Sequence, residues 1–357
     1  MRQATVCIDS ESLKYNLNRV KQLAPTAQIV SMVKANAYGH GVKDCLAALG
    51  ETDAFGVACL EEALEIRELG YQQPITLIEG IFSLDEMQIV IDQKLECVVH
   101  HAQQVEWLIA NKLAYIANDL KVWVKLNSGM NRLGFKLDQI IQVIHQLKSE
   151  GFTCVLAMHF ANADADQHPL NERQIEQFLK VKAACEPILA SCCNSAAIFK
   201  WPELNFDFVR PGIMLYGASP FADKSVRELD LKPVMTFSAE IIALNTIQTG
   251  EAVGYGSLYV AEKETVLAIV SIGYGDGYPR AFPKPNSVAI DGQEVAIVGR
   301  VAMDMIAIDV TGLNAKLGTE VELWGKNRLV DAVAAANGTI GYELLCRLTN
   351  RPQRKSI

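Results

Sequence analysis

The chain lacks the features that would assign it to a membrane, to nucleic acid or to a secreted class. It contains no apolar run near 18 residues, and no dense run of lysine and arginine apart from the short tail Arg351–Lys355. Its formal net charge is −8, which makes nucleic acid and anionic membranes poor candidate partners. The N-terminus leads directly into the strand-like stretch Thr5–Ile8, without the apolar segment of a signal peptide.

The cysteines of this chain argue against a disulfide framework and against a zinc ribbon. There are nine of them, an odd number, and no two form a Cys-x-x-Cys pair. Most lie among apolar residues, where cysteine acts as a small hydrophobic side chain. Because unpaired thiols persist in reducing compartments, the sequence predicts a cytoplasmic protein without a structural metal.

Short apolar runs alternate with amphipathic stretches through about the first 217 residues of a 357-residue chain. Most of the intervals between the runs have helical spacing, as in Leu60–Leu69, Gln139–Leu147 and Gln174–Ala183. Eight such strand and helix units predict a (β/α)8 barrel, with an open doubly wound sheet as the alternative, since periodicity cannot show closure. The eight predicted strands are Gln28–Val33, Ala54–Ala58, Ile75–Ile78, Glu96–Val99, Lys121–Leu126, Cys154–Met158, Ile188–Cys192 and Phe206–Val209.

The pattern changes after about Gly217, where a linker-like segment precedes strand-rich sequence. Turns such as Asp291-Gly292 and Thr311-Gly312 separate the strands, and a short helical tail follows. We therefore predict a barrel domain over residues 1–228 and a β-rich domain over residues 229–357. Residues 1–9 are a candidate strand of the second domain.

One lysine stands out, because Lys34 ends the apolar run Ile29–Val33 and precedes a turn bounded by Gly39 and Gly41. Partial desolvation there would favour the free amine, which can form a Schiff base with an aldehyde. The alternative is a strand-end lysine that reaches into water.

Other reactive residue types also fall at the ends of predicted strands, where a barrel of this kind has its active site. Lys125, His159 and Arg210 lie there, and Asn194-Ser195 opens a helical turn at which Ser195 can act as N-cap and backbone N–H groups favour an anion. A plain cap at Ser195 and a surface ion pair at Arg210 are the alternatives. The loop His159–His168 looks like a metal-ligand cluster, but aspartates in a loop are usually solvated, so we expect no metal there.

Taken together, these segments resemble the alanine racemase family, whose members bind pyridoxal 5'-phosphate (PLP) and have a barrel domain followed by a β-domain. The resemblance covers nearly the whole chain. It is carried by Val33–Gly41, Lys125–Phe135, Met158–Phe160, Asn194–Ala196, Asp207–Gly217, Ala252–Gly256, Ser271–Arg280 and Gly299–Asp304.

The resemblance implies a role for each matching residue. Lys34 would carry PLP, and Lys34 and Tyr255 would be the two acid/base groups of alanine racemisation, with Tyr255 entering the site of the other subunit of a homodimer. Arg132 and the backbone of Met303 would hold the substrate carboxylate. The other expected cofactor-binding residues are Tyr38, His159, Asn194, Ser195, Arg210, Gly212, Ile213 and Tyr342, and the supporting residues are Lys125, Tyr274 and Asp304.

Several points stay open at this level. Lys125 is either carbamylated, as in many family members, or an unmodified lysine paired with a carboxylate. The choice stays open because Asn127 stands where relatives often have aspartate. The rival functions are a PLP-dependent decarboxylase of the same architecture, a non-enzymatic PLP-binding protein and a racemase of broader substrate range. Arg210 argues against the decarboxylase, since those enzymes place an acidic residue at the pyridine nitrogen.

Overall fold

The computed structural model describes residues 4–280 and 282–357. In chain order its strands are β1 (Thr5–Ile8), β2 (Gln28–Met32), β3 (Ala54–Val57), β4 (Ile75–Leu77), β5 (Leu95–Val99), β6 (Lys121–Lys125), β7 (Thr153–Ala157), β8 (Leu189–Ser191), β9 (Phe208–Val209), β10 (Met235–Ile247), β11 (Ala252–Val253), β12 (Tyr259–Val260), β13 (Thr265–Val270), β14 (Ser287–Ile290), β15 (Gln293–Val298), β16 (Ile306–Asp309), β17 (Glu320–Trp324) and β18 (Gln353–Ser356).

The helical segments are α1 (Ser10–Leu23), α2 (Lys34–Tyr38), α3 (Val42–Cys45), α4 (Leu60–Glu68), α5 (Glu86–Asp92), α6 (Ala102–Ala110), α7 (Lys112–Ala117), α8 (Leu137–Ser149), α9 (Pro169–Ala184), α10 (Ser195–Lys200), α11 (Val330–Asn337) and α12 (Gly341–Cys346). Short 3₁₀ turns lie at Pro202–Leu204, Ile213–Tyr216, Tyr255–Ser257 and Tyr274–Asp276. Among the described residues, none of these helices has the length and apolar character needed to cross a bilayer.

The predicted barrel is confirmed, and the open-sheet alternative is wrong. Strands β2 to β9 form one eight-stranded parallel sheet in the order β8-β7-β6-β5-β4-β3-β2-β9. Side chains bridge the remaining gap between β8 and β9. Ser191 Oγ donates to the carbonyl of Phe208 at 2.9 Å, and the Asp207 carboxylate accepts from the backbone N–H of Ala190 at 2.8 Å.

The barrel is filled by side chains from its own strands. Trp123 packs against Phe208 with ring centroids 5.0 Å apart, in a buried cluster with Val30 and Val155. Surrounding helices cover the outside with residues at helical spacing, such as Ile140, Ile144 and Leu147 of α8. The result is a rigid frame in which every strand ends at the same rim.

A second unit is built around the long strand β10. The first half of β10 pairs with β1 and β17, and its second half pairs with β13 after an irregularity between Ile241 and Ala243. Strand β1 also pairs in parallel with β18, so both ends of the chain join this unit. The pair β11–β12 forms a separate two-stranded hairpin.

The contacts within the chain define two compact units. One unit contains Leu17–Ala37 and Leu49–Leu215, and the other contains Met1–Asn16, Tyr38–Ala48 and Tyr216–Ile357. The N-terminal segment joins the second unit because β1 bonds with β10 and β18, although residues 1–3 lie outside the described residues. The segment 38–48 joins it because Arg354 donates to the carbonyl of Gly39 at 2.6 Å and Ser356 donates to Asp44 at 2.8 Å.

Candidate active site

Five predicted site positions lie at one rim of the barrel. Lys34 comes two residues after β2, Lys125 is the last residue of β6, and His159 follows β7 by two residues. Ser195 begins the helix after β8, and Arg210 comes directly after β9. Because all eight strands run parallel, these side chains belong to the same end of the barrel.

The turn after Lys34 has left-handed backbone geometry. Ala35, Asn36, Ala37 and Tyr38 all have φ between +51° and +53°. Such a run of non-glycine residues costs about 1–2 kcal/mol per residue. Within the barrel unit, the Ala37 N–H donates to the Val33 carbonyl at 2.8 Å.

The carboxylate of Glu62 helps to fix this turn. It accepts from the backbone N–H of Ala35 at 2.7 Å and from that of Ala58 at 2.8 Å. It thereby ties the start of the strained turn, next to Lys34, to the end of the neighbouring strand β3. Strain of this kind persists only where the surroundings hold it, and it is concentrated at functional sites.

Arg210 is a buried cation whose partners are neutral oxygens. The residue is 8% exposed, and its guanidinium donates to Ser191 Oγ, to the carbonyl of Met158 at 2.5 Å and to that of Cys192 at 3.5 Å. Burial lowers the pKa of Arg210 from its ordinary value, but an arginine remains charged at neutral pH. The surface ion pair considered for Arg210 is therefore wrong.

The positive charge of Arg210 lowers the pKa values of both Lys125 and His159. Burial is the main cause that lowers the pKa of Lys125 to about 8, and the charges of Arg210, Arg132 and Lys34 act in the same direction. Burial, followed by Arg210 and Lys125, holds the pKa of His159 well below its usual range. His159 is therefore neutral at pH 7, and about one tenth of Lys125 is a free amine at that pH.

Ser195 does not cap its helix, which corrects the predicted role of its side chain. The Asn194 side chain does so, by accepting from the Ala197 N–H at 3.1 Å. The Ser195 hydroxyl instead accepts from the backbone N–H of Gly212 at 2.9 Å and from that of Met214 at 3.5 Å. Since its oxygen accepts both bonds, its own proton is left to donate.

Tyr38 and Tyr342 lie together in the second unit. Their ring centroids are 6.1 Å apart, and Tyr38 also stacks on Tyr216 at 4.9 Å. Burial, and to a smaller extent Tyr342 and Cys346, raises the pKa of the Tyr38 phenol. That phenol therefore stays protonated and can donate a hydrogen bond.

Tyr274 and Met303 of the second unit are brought together by backbone bonds, while Tyr255 lies in the hairpin β11–β12. The Tyr274 N–H donates to the carbonyl of Ala302 at 3.1 Å, and the Gly275 N–H donates to that of Met303 at 2.9 Å. Met303 is 53% exposed and Tyr255 is 71% exposed. Asp304 forms an ion pair with Arg351 at 2.6 Å.

Two residues of the loop that looked like a metal cluster have other partners. Asp166 forms an ion pair with Lys200 at 3.0 Å, and the His168 ring accepts from the Leu170 N–H at 3.2 Å as the cap of α9. Within residues 4–280 and 282–357, no group of three histidine, cysteine or acidic side chains is placed to hold a metal.

Three supporting residues were missed by the sequence reasoning, namely Glu62, Ser191 and Arg351. Glu62 and Arg351 act on segments distant in sequence and carry no local motif. Ser191 did carry a signal, because it is a hydroxyl residue at the end of a short apolar strand and is fully buried. A polar side chain in that position usually has a hydrogen-bond partner.

Comparison with known proteins gives a consistent family match. The family described as alanine racemase, N-terminal domain, matches residues 8–220, and alanine racemase, C-terminal domain, matches residues 234–356. The alanine racemase of Psychrobacter sp. (strain PRwf-1) is 46% identical, with 100% of both chains covered.

Solved structures agree over the full length. The alanine racemase of Acinetobacter baumannii is 74% identical with a TM-score of 0.99, and the biosynthetic alanine racemase of Pseudomonas aeruginosa is 42% identical with a TM-score of 0.92. Each match covers 100% of both chains. The Bartonella henselae alanine racemase, described with covalently bound pyridoxal phosphate, is 28% identical over 100% of both chains, with a TM-score of 0.89.

Proposed function

The chain belongs to the alanine racemase family, and we propose that it interconverts L-alanine and D-alanine with PLP as its cofactor. The observation that carries this proposal is the convergence of Lys34, Lys125 and Arg210 with a neutral His159 at one rim of the barrel. Cations gathered in this way favour anionic ligands, and a phosphorylated cofactor and an amino-acid carboxylate both qualify. The reaction would supply D-alanine for peptidoglycan or serve alanine catabolism.

The expected ligands of the cofactor phosphate have the chemistry that an anion requires. Ser195 has a proton free to donate. The backbone N–H of Gly212, which donates to Ser195 in this structure, and that of Ile213 lie in the adjoining segment and are the other expected donors. The buried Tyr38 phenol is also a donor, and Tyr342 is its neighbour. These five residues are the proposed phosphate ligands, with the Asn194 cap fixing the start of the helix.

Lys34 would bind the cofactor through its amine, and Arg210 would face the pyridine nitrogen with His159 behind it. When bound, PLP supplies an electron sink for the α-carbon of the amino acid. Because Arg210 cannot give up its proton, it disfavours a protonated ring and so weakens that sink. A weakened sink favours proton transfer over transamination. Decarboxylases of this architecture have an acidic residue instead, so Arg210 supports the racemase.

Racemisation requires one acid/base group on each side of the α-carbon. Lys34 Nζ would take the proton from D-alanine, and Tyr255 Oη would take it from L-alanine. Each group returns a proton in the opposite direction. Because an ordinary phenol has a pKa of about 10, it needs a nearby cation to act as a base, and Arg132 is the proposed one.

Arg132 and the backbone of Met303 would bind the substrate carboxylate, and Tyr274 would narrow the pocket. Lys125 would brace Arg132 as a carbamate. Its free amine adds carbon dioxide and releases a proton, which gives a negative group among cations. Asn127 does not supply that charge, and its amide oxygen accepts from the N–H groups of Gly129 and Asn131 in its own turn.

The working unit would be a homodimer in which Tyr255 acts in the neighbouring subunit's site. Its hairpin supports this, because Tyr255, Leu258 and Val260 are 71%, 65% and 48% exposed in the single chain. Exposed apolar side chains grouped in this way usually mark an interface. A cytoplasmic location is part of the proposal, and the nine free thiols favour it.

Mixing two inactive variants tests the shared site. A heterodimer of Lys34→Ala and Tyr255→Phe would contain one site with both native groups, so random exchange should restore about a quarter of the parent activity. If both groups came from one chain, no site would be complete. No recovery despite subunit exchange, shown by mass spectrometry of tagged chains, would rule out the shared site.

The assay that tests the reaction is circular dichroism on L-alanine and D-alanine separately, with purified protein and added PLP. The expected result is loss of optical activity from either enantiomer. Release of carbon dioxide without racemisation would instead identify a decarboxylase. The same measurement on serine defines the substrate range.

A further inference from the structure

Arg351 connects two loops of the second unit that carry proposed site residues. Its guanidinium Nη2 donates to Asp304 at 2.6 Å, and its Nε lies 3.5 Å from the Asp276 carboxylate. Asp276 closes the turn that contains Tyr274, and Asp304 follows Met303 in the chain. One side chain thus bridges both loops.

The rest of the same segment holds the Tyr274 turn as well. Thr349 Oγ1 donates to the carbonyl of Gly275 at 3.0 Å, and the Thr349 N–H donates to that of Asp276 at 3.2 Å. The Arg351 N–H in turn donates to Thr349 Oγ1 at 3.3 Å. The segment 349–351 is therefore fixed against this turn before the guanidinium reaches Asp304.

The bridge joins two acidic side chains through one positive charge. Asp276 is fully buried, and its second oxygen accepts from the Gly273 N–H at 2.9 Å. Asp304 directly follows Met303, whose backbone is proposed to bind a carboxylate, so the negative charge of Asp304 opposes binding unless a positive charge offsets it. Arg351 places its positive charge between the two acidic groups.

Gly275 leaves room for this arrangement. A Cβ there would overlap Nη1 of Arg351 and lie 3.0 Å from the Met303 carbonyl oxygen. The backbone of Gly275 is not left-handed, so alanine would be accepted by the backbone itself. A methyl group at this position would therefore displace the Arg351 guanidinium and crowd the Met303 carbonyl.

We propose that Arg351 is a positioning residue for substrate-carboxylate binding, because it locks the Met303 loop to the Tyr274 turn and neutralises Asp304 beside it. This inference rests on the proposed role of Met303 as a carboxylate ligand. Arg351 acts through the loops and touches no substrate itself.

The test compares Arg351→Gln and Arg351→Lys with the parent holoenzyme. Arg351→Gln should raise the KM for alanine about fivefold with kcat nearly unchanged, since it removes binding common to ground and transition states. Because the two enantiomers have equal free energy in water, kcat/KM should fall equally in both directions. The lysine of Arg351→Lys can keep one ion pair but lacks the two-pronged guanidinium. The KM of this variant should therefore lie between those of the parent and Arg351→Gln.

Propionate provides a readout that does not depend on turnover, because it has the carbon chain and carboxylate of alanine without the amine. Its inhibition constant should rise with the KM in Arg351→Gln. Arg347→Gln is the matched control, since Arg347 is similarly exposed and pairs only with Glu343 at 3.2 Å among the ion pairs of the described residues. It should leave both constants unchanged.

Gly275→Ala tests the same contact without removing a charge. It should raise KM at least as much as Arg351→Gln does, because the added methyl group displaces the Arg351 guanidinium and also lies 3.0 Å from the Met303 carbonyl oxygen. Parent-like KM and propionate binding in Arg351→Gln would overturn the inference. A parent enzyme that propionate does not inhibit would instead refute the proposed carboxylate site, and the inference with it.

Discussion

The backbone turn after Lys34 and the backbone turn around Tyr255 are built in opposite ways. After Lys34, four non-glycine residues adopt φ near +50°. Around Tyr255, glycines take most of the positive angles, with Gly254 at +68° and Gly256 at +76°. The first turn is strained and the second is largely relaxed, because only glycine adopts these angles without steric cost.

The residues around the two turns also differ, because those near Lys34 are hydrogen-bonded whereas Tyr255 is exposed. The turn after Lys34 is fixed by Glu62, and the nearby Arg210 is buried and donates to three oxygens. Tyr255 is 71% exposed in its hairpin. The barrel therefore holds its proposed proton-transfer group ready, whereas the tyrosine must gain its environment from another surface, which we propose to be a second copy of the chain.

The largest expected effect comes from removing the prepared group. Lys34→Ala should lower racemisation by more than about ten-thousandfold in both directions, because it removes both the covalent anchor and one acid/base group. The visible absorbance of a lysine-bound cofactor should also disappear. Spectroscopy and circular dichroism on one sample measure both. Lys43→Ala, at an exposed lysine of the second unit, is the control, and a Lys34→Ala enzyme that still racemises would end the assignment.

Tyr255→Phe should distinguish the role of Tyr255 from that of Lys34, because it leaves cofactor binding intact. Racemisation should fall about 100- to 1,000-fold in both directions. In heavy water, however, D-alanine should still exchange its α-proton with retention, since Lys34 can remove and return it alone. L-alanine should not exchange. Proton NMR measures both rates, and equal exchange of the two enantiomers would contradict the assignment of one group to each face.

The sequence predicted the strand ends well and the turns poorly. All eight barrel strands lie within two residues of their predicted bounds, because buried parallel strands give continuous apolar runs. The convergence of Lys34, Lys125 and Arg210 follows from that topology. The left-handed turn could not be predicted, since Ala35-Asn36-Ala37 contains no glycine and spacing does not reveal handedness.

Long-range bonds were equally invisible. The parallel pairing of β1 with β18 joins residues almost 350 positions apart, as between Thr5 and Gln353, and no local pattern encodes it. The Arg351 bridge likewise reaches back to Asp304 and Asp276. Sequence reasoning therefore found the groups that we propose carry the chemistry, but missed residues that hold their segments in place.

A smaller effect tests whether the barrel site needs a further negative charge. With a pKa of about 8, roughly one tenth of Lys125 is neutral at pH 7 and half at pH 8. At fixed carbon dioxide pressure the carbamate should therefore increase with pH. ¹³C NMR with labelled carbon dioxide should show one carbamate signal that Lys125→Arg removes.

The same variant should lower kcat/KM about tenfold, because Arg132 loses its bracing charge. Arginine keeps the positive charge of an unmodified lysine, so it separates the carbamate from the cation. Parent-like kinetics in Lys125→Arg, together with no labelled signal in the parent, would mean that Lys125 acts unmodified.

The smallest effect comes from making the two turns alike. Ala35 is exposed and has φ of +52°, so Ala35→Gly should raise the free energy of unfolding by about 1 kcal/mol through relief of the strain. Asn36→Gly is the matched control and should gain less, because asparagine tolerates left-handed geometry better than alanine. Thermal and denaturant unfolding of the parent and the two variants measure this difference.

If the strain helps to hold Lys34, Ala35→Gly should also lower kcat/KM a few-fold, as expected when a stabilising change loosens a functional site. A destabilised Ala35→Gly would show that packing favours this turn without strain, and the contrast between the two turns would then lie in exposure alone.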